Sequence, residues 1–273
     1  MKEIFTVISY CSLDKPFITP CINEALKCSE HVVIVYGDKF LDGITPDSEA
    51  ESYLKEITQN QSRISLVKIF VTDVESKTQR YYHNLFRETG YHFLLENFRD
   101  SITNLSYVLF LDADEIIEGA TLYNQYPIGF SMFSLDCYWY FREPIYRAVQ
   151  QEQAGVAYSF AILKKYPQIL QSSQERWAFR DMRDTVTNVY EHFRNRETNL
   201  PLCHHFSWAR TKNQMIQKVK SWAHSTDRDW IPAIEQEFTH PFNGQDFIHN
   251  YQYVQVPNIF NIELNHETRY DLN

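Results

Sequence analysis

Glycine is scarce in this chain: there are 7 in 273 residues, and none before Gly37. A phosphate-binding loop or a dinucleotide fingerprint after the first strand needs glycines that let the backbone close on a phosphate, so both are excluded. Cysteine is sparse too. Cys11, Cys21, Cys28, Cys137 and Cys203 contain no C-x-x-C pair, and an odd number without metal spacing fits reduced thiols. Positive charge is in deficit, with 26 Lys and Arg against 35 Asp and Glu and a formal net charge of -9. Such a balance argues against nucleic acid or an anionic membrane as the main partner, and still allows a local basic pocket. No run approaches the roughly 20 apolar residues of a membrane span. The N-terminal apolar run is too short and too interrupted for a signal peptide, so a cytoplasmic protein is expected. Internal repeats and low-complexity tracts are lacking as well.

What remains is a globular composition, 44% hydrophobic and 22% charged, with aromatics high at 15%. The length suits one large α/β domain, alone or with a small appendage. Over the first ~120 residues β-rich runs alternate with helix-like segments, the pattern of a mainly parallel sheet flanked by helices. Strands are expected at 4–10, 31–36 and 64–71, and helices at 20–28, 47–59 and 82–98. From 129 the pattern changes. Aromatic-rich strands are expected at 129–141 and 156–163, a loop or short helix at 171–184 and a further strand at 185–193. Residues 211–223 form an amphipathic helix with Met215, Ile216, Val219, Trp222 and Ala223 on one face. The tail, 232–273, has weak periodicity and is expected to wrap the domain or contribute to a homo-oligomer.

The chemistry concentrates at 107–119, Tyr-Val-Leu-Phe-Leu-Asp-Ala-Asp-Glu-Ile-Ile-Glu-Gly. The apolar run Tyr107 to Leu111 suits a strand buried on both faces. Asp112, Asp114 and Glu115 follow at once, which delivers carboxylates to the sheet edge where open α/β folds bind ligands. Asp112 and Asp114 are two apart, so an extended segment would point both to one side, where a divalent cation would offset their repulsion. Mg²⁺ and Mn²⁺ suit such oxygens. A solvated acidic turn is the plainer alternative. A second cluster, Cys203-His-His-Phe-Ser-Trp-Ala-Arg, carries imidazoles that are either metal ligands or packing residues.

Leu-Asp-Ala-Asp-Glu after a mid-chain strand resembles the metal-binding signature of GT-A glycosyltransferases, the family-2-like inverting ones above all. The resemblance implies a GT-A, Rossmann-like single domain. Residues 1–120 would be its nucleotide-sugar half, 121–210 its acceptor side and 211–273 a C-terminal helix and tail. It implies a Mn²⁺ or Mg²⁺ cofactor held by Asp112, Asp114 and His205, with His204 as the other candidate. Tyr10, Asp38, Arg87, Asp112 and Arg210 would contact the nucleotide-sugar donor, a UDP-sugar by family habit. Inverting transfer to a hydroxyl of a glycan or other acceptor needs a carboxylate base. Spacing nominates Glu143, Glu175, Asp181 and Asp184, with Glu175 and Asp181 preferred. The alternatives are a metal-dependent phosphohydrolase or nucleotidyltransferase using the same acids, and a non-catalytic sugar-binding relative.

Overall fold

The computed structural model describes residues 3–40, 42–71, 79–171, 186, 188–221 and 228–264. Strands β1 (Ile4–Tyr10), β2 (His31–Gly37), β3 (Ile64–Ile69) and β4 (Tyr107–Asp112) are parallel and lie in the order β3-β2-β1-β4. Their sequences lack polar alternation because both faces are covered. Ile4, Ile8 and Tyr10 of β1, Val32 and Ile34 of β2, and Leu109 and Leu111 of β4 join one core with Phe17, Ile18, Cys21 and Ile22 of helix α1 (Lys15–Cys28). The intervening Phe5, Val7, Val33, Val35, Val108 and Phe110 join the opposite core with Phe86, Tyr91 and Leu94 of α3 (Gln79–Asn97). This two-residue alternation assigns each strand residue to one layer or the other.

Helix α1 begins at Lys15, earlier than the expected 20–28. Pro16 sits in its first turn, where no intrahelical N–H bond is required, and Pro20 is carried inside the helix. The short helix α2 (Ala50–Ile57) follows β2. After β4 the chain turns into the short β5 (Glu115–Ile117) and α4 (Gly119–Gln125).

The second half extends the same sheet. Strand β6 (Met132–Phe141) and the long β7 (Glu143–Ser159) form a hairpin, turned at Arg142 with φ 58°. Strand β7 lies antiparallel to β4, and β9 (Cys203–Trp208) sits between β6 and β5. Strand β8 (Val189–Phe193) pairs with β6, and β10 (Tyr253–Gln255) with β7, giving one ten-stranded mixed sheet. The expected strand at 156–163 ends at Ser159. Its hydroxyl accepts the Ile162 N–H (3.3 Å) and caps the short helix α5 (Phe160–Lys165).

Helices α6 (Lys212–Ser221) and α7 (Ile231–Glu237) pack on an aromatic cluster with Trp139, Phe141, Trp208 and Trp230. Met215 and Val219 of the expected apolar face are buried there, and Ile216 packs against them; Trp222 and Ala223 lie outside the described residues. The tail returns to the α1 side of the sheet, where Ile262 is buried and Phe260 packs beside it. No described helix is long and apolar enough to cross a membrane. None of the five cysteines is in a disulfide.

Candidate active site

In the order β3-β2-β1-β4 the chain runs outward from β1 to β2 and β3, while β4 lies on the other flank. The crevice at the carboxyl ends of β1 and β4 is therefore the switch point at which open α/β sheets bind ligands. Ser9 and Asp112 are register partners there. The acidic turn is fixed by its own Glu115 and by the strands on either side. Glu115 Oε2 accepts the Asp112 N–H (3.0 Å), Ser9 O accepts the Ala113 N–H (3.0 Å), and Asp114 O accepts the Phe206 N–H (2.8 Å).

Asp112 and Asp114 do not share one ligand direction, because a turn rather than an extended segment joins them. Each meets its own cation. Arg87 Nη2 of α3 donates to Asp112 Oδ1 at 3.1 Å. Asp114 is buried, and its Oδ2 accepts from both Arg210 Nη2 (2.9 Å) and Lys218 Nζ (3.1 Å). Its Oδ1 lies 3.6 Å from His205 Nε2. Burial alone would raise the Asp114 pKa. Lys218, His205 and Arg210 overcome that and hold the carboxyl well below the usual range.

Arg210, expected at the donor diphosphate, is instead consumed inside the protein. Its Nε donates to Ser207 O (2.8 Å), its Nη1 to Leu13 O (2.5 Å), and its Nη2 also pairs with Asp14. It is a buried counter-ion that ties the start of α1 to the acidic turn. Arg87 differs. It too is buried, yet its Nε and Nη1 have no hydrogen-bond partner among the described residues.

His205 stays with the acids, 4.0 Å from Glu115 Oε1, its ring set edge-on to Trp139 with centroids 4.7 Å apart. His204 does not. Adjacent residues of a strand point to opposite faces, and His204 turns into the core, with Nδ1 2.8 Å from Tyr140 Oη and Nε2 3.5 Å from Glu118 Oε1. Burial lowers its pKa. His204 therefore lies apart from the Asp114–His205 contact.

Tyr10 is buried in the α1-side core, and burial raises the pKa of its hydroxyl. Asp38 ends β2 and accepts the Val71 N–H at 2.8 Å, which joins the ends of β2 and β3. Glu143 is exposed at the start of β7. Glu175, Asp181 and Asp184 lie outside the described residues. Two partners in the cluster escaped the sequence reading as site residues. Lys218 sits three positions after Met215 on an amphipathic helix, where a solvated lysine is the ordinary expectation. Asp14 reads as one more strand-end turn residue.

The donor set was tested against the divalent cation that the family resemblance implies. Among the described residues no three His, Cys, Asp or Glu side chains come together as a group able to hold a metal. Asp114 Oδ1 and His205 Nε2 are two suitable donors, 3.6 Å apart, and Glu115 Oε1 lies 4.0 Å from that same nitrogen, but Asp114 Oδ2 is engaged by two cations and Asp112 by a third. A dication about 4 Å from one such cation is repelled by about 8 kcal/mol at an effective dielectric near 20, as much as one carboxylate attracts it at that distance. The described residues, in this arrangement, do not fit a resident divalent cation.

No protein-family model matches the chain, and no curated protein matches its sequence. Several solved structures are similar in fold. A 4-diphosphocytidyl-2C-methyl-D-erythritol synthase is 12% identical with a TM-score of 0.44, covering 74% of this chain and 93% of its own. The inositol-1-phosphate CTP transferase from T. maritima is 8% identical with a TM-score of 0.41, covering 78% and 94%. The glucosyl-3-phosphoglycerate synthase from Mycobacterium tuberculosis, solved with Mn²⁺, uridine diphosphate and phosphoglyceric acid, is 8% identical with a TM-score of 0.43, covering 94% and 87%. Likeness at this level assigns no activity to this chain, whose function has to be read from its own residues.

Proposed function

We propose that the chain is a glycosyltransferase that moves a sugar from a nucleoside diphosphate donor, a UDP-sugar in the first instance, to a hydroxyl of a glycan or other acceptor. The observation that carries this reading is the acidic turn Asp112-Ala113-Asp114-Glu115 at the β1–β4 switch point, surrounded by Arg87, Arg210 and Lys218. Departure of a diphosphate builds negative charge, and preorganised cations in a partly dry crevice stabilise it. Arg87 has donors to spare for such a group. Asp112, with its side chain 20% exposed, is the acid of the turn that a donor hydroxyl can reach. Inverting transfer further needs a carboxylate to take the acceptor proton, the role for which Glu175 and Asp181 were nominated.

Nucleotidyl transfer ranks second. Its Gly-rich phosphate loop has no counterpart here, where β1 is followed by Cys11 and a short turn at Ser12–Asp14. The test is release of nucleoside diphosphate from a panel of nucleotide-sugars offered with and without glycan acceptors. Diphosphate release that needs the intact Asp112 supports the reading. Release of pyrophosphate from nucleoside triphosphates, or of inorganic phosphate from simple esters, would replace it.

A further inference from the structure

Asp114 is the residue that the family resemblance makes a metal ligand, and a lysine stands against it. Lys218 Nζ is 3.1 Å from Asp114 Oδ2, on a side chain only 13% exposed. The contact is built by the fold rather than by a loose surface chain. Met215 and Val219, which flank Lys218 on α6, are buried in the aromatic cluster beneath the helix. Arg210 occupies the same carboxylate oxygen but spends its other N–H groups on Leu13 O and Ser207 O and pairs also with Asp14. Asp114 is the acceptor that Lys218 has among the described residues, so its ammonium has further N–H groups to offer a ligand. Across the turn, Arg87 is buried with two N–H groups lacking an acceptor among the described residues. Two side-chain cations thus stand beside the acidic turn, each with N–H groups that have no acceptor among the described residues, and those residues bring no three metal-binding side chains into one place.

We propose that Lys218, together with Arg87, performs for the leaving diphosphate the charge-neutralising role that a divalent cation performs in metal-dependent transferases, so that donor binding and turnover need no metal. This rests on the transferase reading and specifies its cation. In the bound state one diphosphate oxygen accepts from Lys218 Nζ, which stays paired with Asp114, and another accepts from Arg87. No bond to the protein forms, and the two positive charges replace the +2 of a metal ion. Lys218 would then be a catalytic residue, in contact with the group that departs.

The experiment measures uridine, guanosine, cytidine and thymidine diphosphate binding to the full chain by calorimetry, in EDTA and in Mn²⁺, for the wild type, Lys218→Met and Lys218→Arg. Melting of each variant without ligand checks that it is folded. The expected result is that one diphosphate binds the wild type in EDTA with an affinity within about twofold of that in Mn²⁺. Lys218→Met should weaken binding in EDTA by about tenfold or more, and Lys218→Arg should recover much of the loss. Mn²⁺ should rescue Lys218→Met more than the wild type, because removing the ammonium opens Asp114 and His205 to an ion. Binding by the wild type that requires Mn²⁺ overturns the proposal while leaving the donor reading in place. A folded Lys218→Met that binds in EDTA as the wild type does overturns it too. Absence of binding under either condition defeats the donor reading, and the proposal with it.

Discussion

Asp114 shows how one residue can serve both stability and chemistry. It is buried beside Arg210, which is itself almost fully buried, so Asp114→Asn removes one of the two carboxylates that pair with a buried guanidinium and leaves Asp14 as the other. Breaking a buried pair so that one charge is left uncompensated costs about 3–5 kcal/mol; with Asp14 still paired to Arg210, equilibrium urea unfolding should show a loss toward the lower end of that range. The pH dependence has a definite sign. A carboxyl held below its unfolded pKa contributes stability that is fully present above that unfolded value, and the contribution is lost as pH falls toward the depressed folded value. Below about pH 4 the wild type should therefore lose stability more steeply than Asp114→Asn, read from urea midpoints between neutral and acid pH. For the same reason Asp112, which is partly exposed, is the cleaner position for testing function. The acids of the turn were legible because they follow a buried strand directly. Their cations were not. Lys218 and Arg210 lie 104 and 96 residues from Asp114, and pairings at that range depend on how helices return to the sheet. Which of His204 and His205 lies beside the acids was likewise a matter of strand register, fixed once β9 pairs Glu115 with His205.

Among the elements, α3 carries Arg87 to the crevice and depends on a glycine to do so. A Cβ at Gly90 would lie 2.4 Å from Val7 Cγ1 and 3.1 Å from Val35 Cγ2, so α3 can approach β1 and β2 this closely only without a side chain there. Alanine at an unconstrained helix position gains about 1 kcal/mol over glycine. Here crowding should reverse the sign. Gly90→Ala is expected to destabilise by about 1–2 kcal/mol through overpacking, and Val7→Ala in the same chain should return part of that loss. Chemical denaturation of the two single variants and the double variant checks it. The elements of the first half were legible because buried parallel strands and amphipathic helices have distinct periods. Their ends were harder to place. Pro16 and Pro20 suggested a late start for α1 but are accommodated within it, and Ser159 ends β7 by capping a helix inside an apolar run that reads as strand throughout.

At the level of the whole molecule the sheet order places the β1–β4 crevice, and α6 brings Lys218 to its acidic turn. Much of the aromatic excess is spent on structure. Trp139, Phe141, Trp208 and Trp230 form the cluster that seats α6 and so positions Lys218. The tail, weakly periodic in sequence, is fixed by long-range contact, which no local pattern encodes. It adds β10 to the edge of β7 and buries Ile262 against the α1-side core. Ile262→Ala should cost about 2–3 kcal/mol in urea unfolding if that packing holds. The most direct measurement of the donor site is thermal unfolding of the wild type and Asp112→Asn with a panel of nucleoside diphosphates, in EDTA and in Mn²⁺ side by side. A ligand that binds the folded state alone at about 100 times its Kd adds about 2.7 kcal/mol and raises the midpoint. A rise with uridine diphosphate in the wild type, much reduced in a folded Asp112→Asn, is the expected result. An equal rise in both proteins, or none with any diphosphate under either condition, would contradict a donor site at this turn.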